Sequence, residues 1–322
     1  MPERTETNRG LAAAILLGAL LLAGLGAFWG FRKAGRPGGP PLREDLEELR
    51  RIDPRLVIAR ETGRIPPGVA GPRALAVGPD DRLYVAGETE LAVLGNDGKP
   101  LSRRALGAPA TAAAAAPDGT VYLGLKDRIE VFDADGNRKA AWERPDPKTW
   151  ITSIAAAADA VYAADFGRRA VLRYDPSGRL LGEIPGFNIP SPCFDVAVDP
   201  AGSLWVANTA LHRLENRRPD GSRAASWGEE SARIGGFSGC CNPSHFAIRR
   251  DGSFVTAEKG LVRIKVHDPA GKLLGVVAGP KDFPEGTVGL DVAADSKGRI
   301  MVLDPSTSTV RVYEPSASRM GD

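Results

Sequence analysis

The three cysteines of the chain and one histidine are the residues best suited by type to chemistry. Cys240 and Cys241 are adjacent in the glycine-rich segment GGFSGCCNPSH, which ends at His245, and Cys193 is the third cysteine. Thiolates and imidazole bind soft ions such as Cu(I) and zinc, and thiols form disulfides in oxidising compartments. The sequence leaves three interpretations open: a disulfide within the trio, inert thiols, or a metal or redox site. The absence of CxxC and CxxCH argues against a thioredoxin-like site and c-type haem attachment.

Four polar residues precede the first apolar position of a repeated strand pattern, namely Ser153, Asp195, His245 and Asp291. Two interpretations compete. Short polar side chains can bond backbone N–H groups and cap a strand. Alternatively, carboxylate and amide oxygens from Asp195, Asn208 and Asp291 could imitate a divalent-cation site, because such ions prefer oxygen ligands. We therefore treat these positions, together with the three cysteines, as candidates for a ligand or metal.

A second set of aligned polar residues stands at the end of the next strand of the same pattern. It consists of Asp165, Asn208, Glu258 and Asp304. We expect these residues to be structural ties within each repeat, with an arginine further along available for pairing at Arg173, Arg213, Arg263 and Arg311. His212 and His267 fall on predicted third strands, and we expect surface imidazoles there.

Composition and motifs limit the function classes. The 42 Lys+Arg and 40 Asp+Glu residues nearly balance, so the chain lacks the basic footprint of a nucleic-acid-binding protein. No GxSxG, Walker loop, HExxH or GxGxxG motif stands in a supporting strand–helix context. These absences argue against the commonest enzyme classes, and the sequence itself names no cofactor.

The elements that must position these residues form an internal repeat. Each unit has two apolar strands around an Asp/Gly turn, then a third strand, a second glycine turn and a fourth strand. The first two strands of the units cover Ala74 to Gly87, Ala112 to Leu125, Ser153 to Asp165, Asp195 to Asn208, His245 to Glu258 and Asp291 to Asp304. Second-turn glycines at Gly98, Gly136, Gly178, Gly221 and Gly271 are spaced by 38, 42, 43 and 50 residues. This period is typical of four-stranded propeller blades.

The ends of the repeat predict how the ring closes. The sixth unit stops after a third strand at Val310 to Tyr313, and the segment Leu56 to Ile65 precedes the first unit without belonging to it. We expect that segment to pair antiparallel with Val310 to Tyr313, because this removes an open sheet edge. The predicted fold is all-β, a six-bladed β-propeller of four-stranded blades.

The repeat resembles the NHL-repeat family of six-bladed propellers, most closely in YAAD at 162–165 and WVAN at 205–208. The resemblance covers about 250 residues and implies the fold, while family members and look-alikes include interaction scaffolds, lyases and lactonases. A fold of this kind does not by itself give a function.

The N-terminal region differs in composition from the repeat. Residues 1–10 form a tail, and residues 11–31 are a run without formal charge that is long enough for a transmembrane helix or signal anchor, with a cleaved signal peptide as the alternative. We expect residues 32–52 to form a linker and short stalk helix. We expect residues 53–316 to form the propeller and residues 317–322 to form a disordered tail. We expect a single-pass membrane protein whose propeller is extracytoplasmic.

These patterns favour a membrane-tethered scaffold that recruits a protein or a small ligand at its channel face. One alternative is a redox or metal-binding accessory protein or enzyme that uses Cys193, Cys240, Cys241 and His245. Another is a divalent-metal lactonase- or lyase-like propeller.

Overall fold

The computed structural model describes residues 42–316. The proposed membrane segment at 11–31 and the tail at 317–322 lie outside this range. Among the helices in the described range, none combines the length and the apolar character needed to cross a membrane. The chain divides into two units between Glu48 and Leu49. A short helix, α1, covers Leu42–Arg50 and contains this division, and the role of residues 32–52 as a linker and stalk stays a prediction.

Six four-stranded antiparallel sheets form the second unit. Blade one contains β2 (Ala74–Val77), β3 (Leu83–Ala86), β4 (Glu90–Leu94) and β5 (Pro100–Ala105). Blade two contains β6 (Ala112–Ala115), β7 (Val121–Gly124), β8 (Ile129–Phe132) and β9 (Arg138–Trp142). Blade three contains β10 (Ile151–Ala156), β11 (Val161–Asp165), β12 (Ala170–Tyr174) and β13 (Leu180–Ile184). The predicted fold class, an all-β propeller with six four-stranded blades, is confirmed.

The remaining blades carry most of the candidate site residues. Blade four contains β14 (Val196–Val198), β15 (Leu204–Asn208), β16 (Arg213–Arg217) and β17 (Arg223–Trp227). Blade five contains β18 (His245–Ile248), β19 (Phe254–Glu258), β20 (Arg263–His267) and β21 (Leu273–Ala278). Blade six contains β22 (Asp291–Ala294), β23 (Ile300–Asp304), β24 (Thr309–Pro315) and β1 (Ala59–Ile65). Short 3₁₀ turns occupy Pro54–Leu56, Thr209–Leu211 and Pro280–Asp282.

Blade six closes the ring as the sequence predicts. Strand β1 pairs antiparallel with β24, with Ile65 opposite Val310 and Ala59 opposite Pro315. The register shifts between Glu61 and Gly63, a local bulge of the kind common on edge strands. The pairing strand is shorter than expected at its start, because Leu56 ends a 3₁₀ turn.

Apolar side chains pack between adjacent blades in six clusters. The cluster between blades six and one, for example, joins Leu75, Val85 and Leu94 to Met301 and Leu303. Neither face of a blade can be buried by that blade alone, so each cluster needs a neighbour and the ring must close.

Candidate functional site

A channel runs through the centre of the ring, with a cavity volume of about 210 Å³. Its walls come from the first strands of all six blades, β2, β6, β10, β14, β18 and β22. Many wall positions are alanine, including the run Ala112–Ala115 in β6. Small side chains leave the axis of the ring open, so the larger polar residues at the strand starts define its chemistry.

Ser153, Asp195, His245 and Asp291 all line this channel. The Nδ1 atom of His245 lies 3.7 Å from Oδ1 of Asp291 and 3.9 Å from Oδ2 of Asp195. The imidazole of blade five therefore lies between carboxylates from blades four and six. These distances exceed hydrogen-bond length, so the contact is electrostatic.

The same polar side chains tie neighbouring blades together. Oδ2 of Asp195 accepts the N–H of Phe246 in blade five at 2.6 Å, and Oδ2 of Asp291 accepts the N–H of Leu75 in blade one at 2.8 Å. The N–H of Val196 donates to Oγ of Ser153 at 3.2 Å. Capping of backbone N–H groups was one of the two interpretations of these residues from the sequence. Each of the three side chains accepts a hydrogen bond from the inner strand of the next blade.

Burial shifts the titration of both carboxyl groups. Burial raises the pKa of Asp291 to about 6, the His245 imidazole opposes the rise, and the Asp195 carboxylate adds to it. Burial also raises the pKa of Asp195, against the influence of His245 and of hydrogen bonds from Ser153 and Phe246. A carboxyl group with a pKa of about 6 can exchange a proton near neutral pH, which is a property of many acid–base sites.

A wider cavity opens at the end of the channel where the inner strands begin. We call it the vestibule; its volume is about 340 Å³. Its lining includes Thr111, Trp150, Thr152, Pro192 and Val288. His245, Thr111 and Thr152 border both the vestibule and the channel, and among the three only His245 carries an ionisable side chain that a molecule in the vestibule could meet.

Three residues of the second aligned set, Asp165, Asn208 and Glu258, hold the loops that precede the inner strands of their blades. The fourth, Asp304, holds the turn that follows its own strand. Oδ1 of Asp165 accepts the N–H of Trp150 at 2.9 Å, which fixes a vestibule residue. Asn208 accepts the N–H of Asn188 at 3.2 Å.

In the last two blades, Glu258 accepts the N–H of Ser238 at 2.9 Å, and Asp304 accepts the N–H of Ser306 at 3.1 Å. Among the expected arginine partners, Arg311 lies 3.9 Å from Asp304. Arg213 pairs with Glu215 at 3.4 Å instead of with Asn208.

His245 faces the carboxylates of the channel, whereas the three cysteines gather around Lys259. Sγ of Cys241 lies 3.4 Å from Sγ of Cys240, and Sγ of Cys193 lies 3.4 Å from Nζ of Lys259. All three cysteines are free thiols. Lys259 is a member of this cluster that the sequence analysis did not identify, and no sequence motif points to it.

The donor sets do not fit a metal ion. Asn208 is buried beside Asn188 and Glu215 and does not line the channel with Asp195 and Asp291. Among the side chains that the structure describes, those of residues 46–316, no group of three or more His, Cys, Asp or Glu is arranged to hold a metal ion. Of the three residues proposed for a cation of the lactonase type, Asp195 and Asp291 therefore meet at the channel, and Asn208 does not join them.

The expectation that His212 and His267 are surface residues is wrong. Both are buried, and the His267 ring packs 4.8 Å from Trp227 and 5.8 Å from Phe237, measured between centroids. Phe237 belongs to the long insertion between blades four and five, which covers the outer part of blade five. Polar residues alternate with apolar ones in RIKVH of β20, which is the pattern of a strand with one exposed face. The sequence does not show that the insertion covers this face.

Burial lowers the pKa of His267 to about 4, and the ammonium of Lys265 adds to this effect. Lys265 itself is fully buried and forms an ion pair with Glu258 at 2.9 Å. It also donates to the carbonyl groups of Ile234 and Gly236, at 3.1 and 2.7 Å. The insertion is therefore fixed to blade five by buried charge.

No protein-family model and no curated protein matches the chain. Solved structures with the same kind of fold include the WD40 propeller domain of Doa1, with a TM-score of 0.56 and 15% identity over 77% of this chain and 80% of that one. A streptogramin B lyase has a TM-score of 0.51 and 14% identity over 75% and 78%. A protein of unknown function from Bacteroides caccae has a TM-score of 0.52 and 16% identity over 67% and 84%. At these identities the likeness is one of fold alone.

Proposed function

We propose that the protein is a binding propeller that receives a small polar ligand in the vestibule, with His245 as the main recognition group. The observation that carries this proposal is the position of His245, which borders both cavities and lies within 4 Å of the buried carboxylate of Asp195 and the half-buried carboxylate of Asp291. The vestibule volume falls within the range of small-molecule sites. Apolar walls with a few convergent polar groups are typical of such sites.

Charge at the base of the vestibule indicates the class of ligand. Asp195 and Asp291 place negative potential beneath His245, and Arg73 at the rim is paired with Glu88 at 2.8 Å. We therefore expect a neutral or cationic compound with N–H or O–H donors. Anionic compounds would be repelled by these carboxylates.

A thermal-shift screen of small amines and neutral heterocycles tests this proposal. Compounds that stabilise the full chain should bind at least about tenfold more weakly to His245→Phe and Trp150→Ala. Leu180→Ser, on the exposed outer strand of blade three, should bind as the wild type does. A screen without binders, or binders that do not distinguish the vestibule variants from Leu180→Ser, would contradict the proposal.

The second candidate function is acid–base catalysis at the same position. The raised pKa of Asp291, about 6, favours it, because a carboxyl group of that pKa can accept or donate a proton near neutrality. The streptogramin B lyase has a similar fold, which shows only that a propeller can carry an enzyme site. Incubating each binding compound with wild type and Asp291→Asn decides between the two: conversion by the wild type alone favours an enzyme, and unchanged compound favours binding.

We further propose that the propeller is NHL-like and is tethered to a membrane by residues 11–31, on the extracytoplasmic side. The uncharged run of 21 residues supports the tether. Alkaline extraction of membranes from expressing cells should leave the full chain in the pellet. Protease added to intact cells or spheroplasts should cleave the propeller, whereas protection would reverse the proposed orientation.

A further inference from the structure

The loop that carries Cys240 and Cys241 is held in place on both sides of the two sulfur atoms. His212 Nε2 contacts the carbonyl oxygen of Gly239 just before the pair. Just after the pair, the side chain of Asn242 accepts the N–H of Lys259 and donates to its carbonyl group, both at 2.9 Å. Asn242 is fully buried. The position of the dithiol is therefore fixed by buried hydrogen bonds.

The two adjacent thiols differ in exposure. Cys240 is exposed, and Cys241 is 2% exposed. Burial raises the pKa of the Cys241 thiol, a hydrogen bond from Ser191 opposes the rise, and Cys240 adds to it. Cys240 can therefore meet a reagent in solution, while Cys241 can meet only what Cys240 has already bound.

A lysine supplies positive charge to this group of sulfur atoms. Nζ of Lys259 lies 3.4 Å from Oγ of Ser191 and 3.4 Å from Sγ of Cys193. Burial alone would lower the pKa of Lys259, but the sulfur atoms of Cys193, Cys241 and Cys240 together raise it. The ammonium group is therefore retained beside the three sulfur atoms, where a thiolate that forms during disulfide exchange would meet a positive charge.

We propose that Cys240 and Cys241 form a modification site for low-molecular-weight disulfides, at which Cys240 is the attacking thiol and Cys241 the resolving thiol. In the first step Cys240 attacks a disulfide RSSR, forms a mixed disulfide with one RS group and releases the other as RSH. In the second step Cys241 attacks Sγ of Cys240, forms the Cys240–Cys241 disulfide and releases the second RSH. Two protein thiols are oxidised and one RSSR is reduced to two RSH.

The resulting bond is reversible for a geometric reason. Adjacent Cα atoms are 3.8 Å apart, which is less than the separation in most disulfides. Strained, exposed disulfides are more readily reduced than structural ones. Because Ser191 and Cys193 flank the vestibule residue Pro192, the modified site also borders the loop that lines the vestibule.

Peptide mapping of the full chain tests the proposal. The reduced protein is incubated with oxidised glutathione. It is then denatured in the presence of N-ethylmaleimide, which alkylates the thiols that remain free, and digested with trypsin. Residues 234–249 then form one peptide with both adjacent cysteines, and residues 180–213 form another with Cys193. The expected result is a 234–249 peptide lighter by two hydrogen atoms and a 180–213 peptide that carries one maleimide. A cross-link between the peptides, or maleimide on both adjacent cysteines, would overturn the proposal.

Two single variants test the order of attack. Cys241→Ser should accumulate glutathione on Cys240, because the resolving thiol is missing. Cys240→Ser should leave Cys241 free of glutathione, because Cys241 is buried. Equal glutathione addition in both variants would show that the assignment of roles is wrong, and circular dichroism confirms that each variant is folded.

The role of Lys259 has its own controls. Lys259→Met should slow formation of the Cys240–Cys241 disulfide by about tenfold, and Lys259→Arg should restore most of the rate. Lys272→Met, at an exposed lysine of blade five, should react at the wild-type rate. An unchanged rate in Lys259→Met would remove the lysine from the mechanism.

Discussion

Asp195 at the start of blade four accepts the backbone N–H of Phe246 in blade five at 2.6 Å, although 51 positions separate the two residues. The same carboxylate lies 3.9 Å from His245. One side chain therefore both joins two blades and sets the charge beside the vestibule, so structure and recognition depend on the same group.

Replacing Asp195 should destabilise the ring. Asp195→Ala leaves the buried N–H of Phe246 without an acceptor, and we expect a loss of about 2–3 kcal/mol in the free energy of unfolding. Asp195→Asn retains an acceptor oxygen and should lose about 1 kcal/mol. Urea denaturation followed by circular dichroism measures both values. The exposed Glu229→Gln is the control and should stay within about 0.5 kcal/mol of wild type.

Asp291 should make the protein less stable as the pH rises from about 4 to about 6. Its pKa is raised from 3.8 to about 6 in the folded state, so in that window the folded protein retains a proton that the unfolded chain has lost. Relative to Asp291→Asn, the wild type should lose about 2–3 kcal/mol across the window. Urea titrations at several pH values measure the difference. A constant difference between the two proteins would show that Asp291 titrates normally.

His267 should produce the opposite dependence. Its pKa is lowered from 6.5 to about 4 by burial, so the unfolded chain takes up a proton that the folded protein excludes as the pH falls from 6.5 to 4. Relative to His267→Phe, which retains an aromatic ring beside Trp227, the wild type should lose about 3 kcal/mol over that range. An NMR titration of the His267 ring gives an independent check, and a midpoint near 6.5 would contradict the assignment.

Breaking the buried ion pair of blade five should be costly. Lys265→Met leaves the Glu258 carboxylate buried without its 2.9 Å partner, and we expect a loss of about 3–5 kcal/mol. The double variant Lys265→Met/Glu258→Gln removes both charges and should recover at least half of the loss. A double-mutant cycle in urea measures the coupling, and additive effects would show that the two charges act independently.

Local patterns were sufficient to predict the blades. Apolar strands and glycine turns recur with a blade-sized period, and each unit is too small to bury both faces, so closure of a six-bladed ring followed from the repeat itself. The missing strand of blade six and the unassigned segment before blade one identified the closing pair, which the register between Ile65 and Val310 confirms.

The sequence determined the blades and which polar residues begin their inner strands, because these depend on neighbours along the chain. Only the tertiary structure decided which side chains meet across blades, because those contacts join residues that are far apart along the chain. His245 stands beside cysteines in the sequence and beside carboxylates in space, and Lys259, marked by no motif, faces the sulfur atoms. His267 alternates with apolar residues as a surface residue would, yet the insertion before blade five buries it, because burial is set by what packs over a strand.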